Sequence, residues 1–412
     1  MPKILITGNG FDLNLGLPTT YNDFMNILKS IEEAEKLDFD TIYSKTSTYN
    51  KIRKYFNKFE FDTNKIEKLK QLIKKNKWYN FFKKEYELDT WIDFENRIEY
   101  ALKLISYDFE NLIGNNLIDK SIKENKITDI EIIINKKNIV VIEIYYLLNL
   151  LSYDKSILPI GENLNFEDVF LINLDKKFLI KRNDYYIDFD FEKIYKYLLD
   201  ELNDFKLIFN YYFEIFIQPL IDNYKKTSDI GYFKNFDTHY TFNYTPTFDK
   251  IFGKENQTQF LHGKIGSKEN KIVLGISEIP QELKQYKKYI LPFTKYFQKL
   301  DINTDYKFIL KYLNNLLNNY HFYFWGHSLD KSDEDYINTV FDFVNKINGN
   351  KKIIIIYHNK KAKSKLLNNL LYIRKKEEIE NLMKCDILVF LQSNSQKLKE
   401  LIELDIRYEP YF

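Results

Sequence analysis

Two polar residues stand directly after short apolar runs, and their types suit chemistry on a small ligand. His262 follows the run 259–261 and precedes Gly263, and Asn243 follows the end of the run 238–242. An imidazole titrates near neutral pH and can act as a general base. An asparagine amide both donates and accepts hydrogen bonds, so it can orient a ligand or a water molecule. Each residue also has an ordinary structural use, His262 as a buried polar group and Asn243 as a turn residue.

A glycine-rich turn follows the first apolar run, 4–6. It reads Gly8, Asn9, Gly10, Phe11 and Asp12. Glycines between a strand and a helix let the backbone approach a phosphate, and the helix N-terminus adds a favourable positive partial charge. The dinucleotide fingerprint G-x-G-x-x-G lacks its third glycine here. The turn therefore predicts a phosphate site, with a tight turn that binds nothing as the alternative.

Another glycine ends a later apolar run. The run His321–Trp325 leads into Gly326, His327 and Ser328. A few residues on, Ser332 and Asp335 have the spacing of a helix capping box, and acidic residues in a first turn complement the helix dipole. This pattern predicts a helix start and a structural role for Asp333 and Asp335. It does not account for the glycine or for Ser328.

The elements that would position these residues form a repeating pattern. Besides the run 4–6, strands are predicted at 238–242, 259–261, 272–274, 321–325, 353–357 and 387–391. Apolar residues at 21, 24, 25 and 28 predict a helix, with Thr19 or Thr20 as its N-cap. Strands separated by helix-length segments suit a doubly wound, mostly parallel α/β sheet covered on both faces. In such sheets ligands bind outside the carboxyl ends of the strands, where Asn243 and His262 stand.

The strand-like runs lie at both ends of the chain. Residues 1–30 and 232–412 are therefore predicted to form one α/β core. Between them, residues 31–231 show charged, helix-spaced patterns and are predicted to form a large, mostly helical insertion or cap.

Composition excludes several classes of protein. The 412 residues carry a net charge of only +2, which argues against a surface coated with phosphate-seeking charge. The high aromatic content, 17%, accompanies abundant Asn, Lys and Ile, as AT-rich codons would produce. Cys385 is the only cysteine, so an intramolecular disulfide and a cysteine-based zinc site are excluded. The longest apolar stretch, 139–151, is too short for a membrane span and no signal-peptide pattern is found, so a soluble cytoplasmic protein is expected.

The motifs together resemble the bacteriophage abortive-infection AbiH family. The segments that carry the resemblance are Gly8–Asp12, Gly16–Thr19, Trp91–Glu95, Thr241–Thr245, Leu261–Gly263, Leu274–Ile276 and Gly326–Asp330. They span both ends of the chain, and apart from Trp91–Glu95 the helical middle is not specific. Membership implies an antiphage role, with a phage-derived trigger and a homo-oligomer left open.

The same motif order is similar to the sirtuin-like NAD-binding fold of bacterial defence effectors. Its first element is matched by Gly8, Gly10, Phe11, Gly16 and Pro18. Asn243 and His262 occupy the positions that are catalytic in sirtuin-like NAD hydrolases, and Gly326 and Ser328 occupy the adenosine-side element. The chain departs from the pattern twice, because Asp12 replaces a serine and Thr245 replaces an aspartate.

The resemblance implies a sirtuin-like Rossmann variant that cleaves the N-glycosidic bond of NAD or a related nucleotide. NAD would be the substrate, with no prosthetic group and no metal ligand assigned. The implied catalytic residues are Asn243 and His262. The implied nucleotide-binding residues are Gly8, Asn9, Gly10, Phe11, Asp12, Pro18, Gly326, His327 and Ser328.

Two other functions stay open at the level of sequence. A magnesium-dependent nuclease could use Asp12, Asp93, Glu95 and either Asp333 or Asp335, because carboxylates suit that hard cation. A non-catalytic sensor would bind a nucleotide and signal through the helical region without turnover. Activity that depends on a metal ion would distinguish the nuclease from the NAD hydrolase. Nucleotide binding without hydrolysis would distinguish the sensor from both.

Overall fold

The structure is a computed structural model of the chain. It describes residues 2–34, 36–55, 60–84, 91–114, 131–135, 148–150, 169–173, 175–182, 185–224, 235–252, 258–266, 271–304, 307–312 and 319–404. The strands are β1 (Lys3–Thr7), β2 (Glu131–Asn135), β3 (Val169–Asn173), β4 (Leu179–Arg182), β5 (Tyr185–Phe189), β6 (Thr238–Thr241), β7 (Thr258–Phe260), β8 (Tyr320–Trp325), β9 (Lys351–Tyr357) and β10 (Leu388–Gln392).

The helices before β6 are α1 (Asn9–Asn14), α2 (Tyr21–Glu33), α3 (Phe39–Tyr43), α4 (Tyr49–Tyr55), α5 (Thr63–Lys75), α6 (Lys77–Lys84), α7 (Trp91–Gly114), α8 (Phe191–Tyr212) and α9 (Gln218–Asp222). Those after β6 are α10 (Thr247–Phe252), α11 (Lys287–Ile290), α12 (Lys295–Asp301), α13 (Glu334–Lys346), α14 (Lys360–Ile373), α15 (Lys376–Lys384) and α16 (Gln396–Leu404). No helix of the described segments combines the length and apolarity needed to cross a membrane.

Contacts divide the chain into two compact units. The first consists of Met1–Ile66, Asn210–Val273 and Lys299–Phe412, and the second of Glu67–Phe209 and Leu274–Gln298. All strands of the large sheet belong to the first unit.

The first unit is built on a six-stranded sheet in the order β10-β9-β8-β1-β6-β7. Every neighbouring pair in it runs parallel. From β1 the chain winds outward through β6 and β7, and it then returns to the other side of β1 with β8, β9 and β10. The winding direction therefore reverses between β1 and β8, which is where open α/β sheets bind their ligands. The predicted α/β class and parallel sheet are confirmed.

Both faces of the sheet are buried, as continuous apolar strands require. Ile4 and Ile6 belong to a core that includes Ile337 of α13, whereas Leu5 belongs to a second core that includes Leu398 of α16. Alternate residues of one strand thus face opposite helical layers.

Most of the local predictions hold. The helix predicted after the first turn is α2, and Thr20 caps it in a capping box with Asp23. The strand predicted at 272–274 is wrong, because the segment forms no strand. Single hydrogen bonds hold it instead: the Val273 amide donates to the His262 carbonyl (3.0 Å) and the Tyr244 hydroxyl donates to the Val273 carbonyl (2.8 Å).

The second unit contains helices with an aromatic core and two antiparallel strand pairs, β2–β3 and β4–β5. The Phe94 ring lies 5.1 Å from Phe205, and Phe82 lies 5.3 Å from Phe205. A buried ion pair joins Lys295 Nζ to Glu95 Oε2 at 2.7 Å. The two strand pairs were not anticipated from the sequence, which predicts a mostly helical segment here.

Candidate functional site

The strands at the centre of the sheet end level with one another. Thr7, the last residue of β1, pairs with Thr241 of β6 on one side and with Trp325 of β8 on the other. Asn243 and His262 follow the ends of β6 and the adjacent β7. The predicted site residues of the first unit are therefore gathered at the carboxyl edge of one sheet, next to the point where its winding reverses.

Backbone hydrogen bonds join the two glycine turns at that point. Gly8 donates to the Trp325 carbonyl at 3.1 Å and Gly10 donates to the Gly326 carbonyl at 2.8 Å. Phe11 donates to the Gly8 carbonyl at 2.9 Å. The amides of Gly8, Gly10 and Phe11, which the sequence offered to a pyrophosphate, are thus engaged within the protein in this conformation.

The glycines are needed because the two turns touch backbone to backbone. A Cβ on Gly326, which has φ +66°, would lie 2.2 Å from the Phe11 nitrogen. A Cβ on Gly10 would lie 2.7 Å from the Gly326 Cα, and one on Gly8 would lie 2.8 Å from the Gly326 oxygen. Packing of the turns alone accounts for glycine at all three positions.

Gly326→Ala is expected to lower the free energy of unfolding by roughly 2–5 kcal/mol, as a positive φ and an overpacked contact add their costs. Gly266→Ala is the matched control. Gly266 also has a positive φ, +75°, but a Cβ added there would meet no atom within 4 Å. The control should lose only about 1–2 kcal/mol. Urea unfolding of the full chain measures both, and equal losses would contradict the packing role of Gly326.

Three other predicted residues hold the first turn in place. The Phe11 ring is 1% exposed and packs edge-on against Trp325 at 5.2 Å, inside the core. The Asn9 side chain donates to the Thr19 carbonyl at 2.9 Å. The buried carbonyl of Pro18 accepts a hydrogen bond from a tyrosine hydroxyl of α8. Their contacts with a nucleotide stay predictions, and the structure shows what each does within the fold.

Asp12 is a buried carboxyl whose oxygen Oδ2 accepts the Thr245 hydroxyl proton. Burial is the main cause that raises the pKa of Asp12 to about 7, and the hydrogen bond from Thr245 opposes the rise. Its other oxygen, Oδ1, has no hydrogen-bond partner among the described residues. Asp12 and Thr245 are the two departures from the sirtuin-like pattern, and they meet in one hydrogen bond.

Asn243 links the ends of β6 and β1. Its backbone amide donates to Thr241 Oγ1 at 3.0 Å, and its side-chain Nδ2 donates to the Gly8 carbonyl at 3.1 Å. The side chain is 8% exposed. Its oxygen Oδ1 accepts no hydrogen bond that the described part of the chain provides, so an acceptor remains at the sheet edge.

A buried chain of hydrogen bonds between β1, β6 and β7 leads to the Asn243 backbone amide. Thr7 Oγ1 lies 2.9 Å from Thr241 Oγ1 and 2.8 Å from His239 Nε2. His239 Nδ1 lies 2.8 Å from Thr258 Oγ1, which donates to Asp249. The chain ends at the Thr241 hydroxyl that holds the Asn243 amide. His239 was not predicted as a site residue. The pattern that could have indicated it is the pair of polar residues at alternate positions of β6, His239 and Thr241, beside Thr7 at the end of β1.

His262 and His327 face the same carboxylate. Asp333 Oδ1 lies 3.2 Å from His262 Nε2, and Asp333 Oδ2 lies 3.4 Å from His327 Nε2. All three residues are buried, at 7%, 6% and 9% exposure for His262, His327 and Asp333. Leu329 donates its amide to His327 Nδ1 at 2.9 Å, so the proton of the neutral His327 ring is on Nε2.

The helix start after β8 differs from the predicted capping box. Asp330 caps the 3-10 turn Lys331–Asp333 and accepts the Ser332 amide at 3.1 Å. Asp333 is the N-cap residue of α13 but makes no capping bond with its side chain. The predicted box of Ser332 and Asp335 is therefore wrong, and the Asp333 side chain is turned towards the histidines.

Ser328 lies at the outer edge of this turn. Its side chain is exposed, and its carbonyl accepts a hydrogen bond from Asn369 Nδ2 at 3.0 Å. The next residue, Leu329, has a positive φ of +52°, so the chain turns sharply after His327. This turn brings the Leu329 amide back to the ring of His327.

The acidic residues considered for a nuclease lie in different surroundings. Glu95 is paired with Lys295, and the Asp93 side chain lies outside the described residues. Asp335 is exposed on α13. Within the described ranges, no group of three or more His, Cys, Asp or Glu residues is arranged to hold a metal ion. The His327 ring cannot ligate through Nε2 while that nitrogen carries the proton.

Comparison with known protein families gives one result. A model of the family described as bacteriophage abortive infection AbiH matches residues 4–358. The matched range includes the first glycine turn, Asn243, His262 and Asp333, so it covers the whole candidate site. Comparisons with curated proteins and with solved structures found no match.

Proposed function

This chain belongs to the bacteriophage abortive infection AbiH family, and on that premise we propose that it is an antiphage effector that binds and hydrolyses NAD or a related nucleotide. Family membership confirms the resemblance seen in the motifs and implies a role in abortive infection. The nucleotide, the hydrolytic reaction and the sirtuin-like character of the core belong to the proposal. We place the activity in the cytoplasm, where the nucleotide pool is found.

The observation that supports hydrolysis is the position of Asn243 and His262. Both follow strands at the carboxyl edge of a parallel sheet, beside the point where its winding reverses. The amide oxygen of Asn243 can accept a hydrogen bond from a ligand, and the Asp333 carboxylate lies 3.2 Å from His262 Nε2. A hydrogen-bond acceptor and an imidazole oriented by a carboxylate are the groups that water-mediated hydrolysis requires.

The proposed reaction breaks the bond between the ribose C1′ and the nicotinamide nitrogen. Nicotinamide leaves with the bonding electron pair, and C1′ gains oxocarbenium-like positive charge. The oxygen of a water molecule then bonds to C1′, and His262 accepts the proton that this water loses. Asn243 orients the ribose hydroxyls and the water through its amide oxygen. The products are ADP-ribose, nicotinamide and one proton.

The first glycine turn would serve this substrate in a different way from a usual phosphate loop. Its amides at Gly8, Gly10 and Phe11 are engaged with protein carbonyls, so the diphosphate would be held by other groups. The role proposed for the turn is to fix the Gly8 carbonyl, which in turn fixes the Asn243 side chain. Asp12 does not repel the diphosphate as a full charge would, since its pKa of about 7 leaves it partly protonated at neutral pH.

Purified full chain should be incubated with NAD, NADP and DNA, each with and without Mg²⁺. Release of nicotinamide from NAD or NADP that persists in the presence of a chelator is the expected result. DNA cleavage that requires Mg²⁺ would favour the nuclease instead. Binding of a nucleotide, measured by calorimetry, without hydrolysis would favour the sensor. If the protein neither binds nor hydrolyses NAD or NADP, the nucleotide is removed from the proposal.

A further inference from the structure

We propose that the exposed face of α14 binds single-stranded nucleic acid. This face is a stripe of four exposed residues at steps of four, three and four positions, namely Lys361, Lys365, Asn368 and Tyr372. Residues with these spacings lie on one side of a helix. Leu370, on the opposite side, is buried in the core. The proposal concerns a second ligand and does not depend on NAD hydrolysis.

The charge of α14 differs from that of the chain as a whole. The helix carries four lysines and no acidic residue, although the chain has 59 acidic residues against 61 basic ones. The next helix, α15, is mixed, and its Lys384 pairs with Glu380 at 2.7 Å. No lysine of α14 forms an ion pair with any residue that the structure describes. Codon bias supplies lysines, but it does not account for a helix without acidic residues.

The lysines lie at the end of the helix where they lower its stability. All of them fall between residues 360 and 365, in the first turns of α14. A helix N-terminus carries a positive partial charge, so cations are disfavoured there. No acidic residue in the first turn compensates for them. Folding therefore gives no reason for this arrangement, whereas a ligand that carries several phosphates does.

Tyr372 provides the second, independent observation. It is 78% exposed, and it forms no ring contact or hydrogen bond with the part of the chain that the structure describes. An exposed ring offers its face to an unstacked base, and cationic groups beside stacking aromatic rings are typical of proteins that bind single strands. A duplex keeps its bases stacked on one another and offers none to the ring. The lysines and the tyrosine together therefore favour a single strand.

The helix that carries this face is joined to the candidate site. α14 follows β9, which pairs with β8 in the sheet. Asn369, the neighbour of Asn368, donates from Nδ2 to the Ser328 carbonyl at 3.0 Å. Ser328 directly follows His327. A strand bound to α14 would thus lie on a helix that one hydrogen bond connects to the turn of His327.

The charge is tested by titrating a fluorescent oligothymidine strand with the full chain and measuring anisotropy. In the double variant Lys361→Glu/Lys365→Glu, the affinity should fall by roughly 10-fold or more. The plot of log binding constant against log salt concentration should become shallower by about 1.4, because each phosphate contact to a single strand contributes about 0.7. The reversed charges complement the helix N-terminus, so this variant should fold.

The ring is tested separately in the same assay. Tyr372→Ala should bind oligothymidine roughly 5- to 150-fold more weakly, the usual effect of removing one stacking ring. Tyr372→Phe keeps the ring and should bind like the wild type. The residue is exposed, so neither variant should change the melting temperature.

The matched control is Lys68→Glu/Lys75→Glu, which reverses two exposed lysines of α5, another lysine-rich helix. It should bind oligothymidine like the wild type. An equal loss of affinity in the two double variants would show that only net charge matters and would overturn the proposal. The same holds if the wild type does not bind oligothymidine at physiological salt, if Tyr372→Ala binds like the wild type, or if an unlabelled duplex competes as well as the single strand. Binding to phosphatidylserine vesicles without binding to oligothymidine would assign the lysines to a membrane surface instead.

Discussion

Replacing His262 by alanine is expected to lower nicotinamide release from NAD by roughly 100- to 10,000-fold, the usual contribution of a well-placed general base. The side chain stands after β7 at the sheet edge, backed by Asp333. It also packs edge-on against Phe242 with the rings 5.1 Å apart, so alanine leaves a small cavity. His262→Gln fills much of that volume without a basic nitrogen and should be equally inactive.

Melting temperature and single-turnover hydrolysis should be measured for both variants. The matched control is His358→Ala, which removes an exposed histidine at the end of β9. It should keep wild-type activity and stability. A folded His262→Gln protein that hydrolyses NAD at the wild-type rate would show that another group takes the proton.

Asn243→Asp is expected to reduce hydrolysis by roughly 100- to 1,000-fold, the loss seen when one positioned polar group is removed from an active site. The substitution should also lower stability, because Nδ2 of Asn243 donates to the Gly8 carbonyl at 3.1 Å. A carboxylate there loses the bond and adds charge beside Asp12, so stability should fall by about 1–3 kcal/mol.

Two further variants separate these effects. Asn243→Ala removes the bond without adding charge and should be less destabilising than Asn243→Asp. Asn359→Asp makes the same chemical change at the exposed N-cap of α14, where aspartate can accept the same Ala362 amide. It should change neither stability nor hydrolysis. Retained NAD hydrolysis in a folded Asn243→Asp protein would rule out the ribose-orienting role.

The features that the sequence predicts well depend on local pattern. The start of α2 was predicted because Thr20 and neighbouring apolar positions lie within one stretch of chain. The sheet edge was predicted because strands of one parallel sheet end together, which brings Asn243 near the first turn. The segment 272–274 looks like a strand for the same local reason, but it pairs with no strand of the sheet.

The features that were missed depend on contacts distant in the sequence. Asp333 has the local appearance of a helix-start acid, and only its distances to His262 and His327 show another role. His239 sits in an ordinary strand until Thr7 and Thr258 are placed on either side of it. The first glycines were predicted to let the backbone approach a phosphate, and what they approach in the structure is another turn of the protein. The neighbour they approach is Gly326, which lies more than 300 residues away in the chain.

The position of β1 in the middle of the sheet also affects how the protein is made. Lys3 pairs in register with His321, so the first strand to leave the ribosome waits for a neighbour near the other end of the chain. At about 5–20 residues per second this wait is roughly 15–60 s. Throughout that time the edge of β1 that pairs with β8 is open, and a chaperone can cover it. The Asp333 carboxylate, which lies 3.2 Å from His262, is synthesised later still, so the candidate site is incomplete until most of the sheet has left the ribosome.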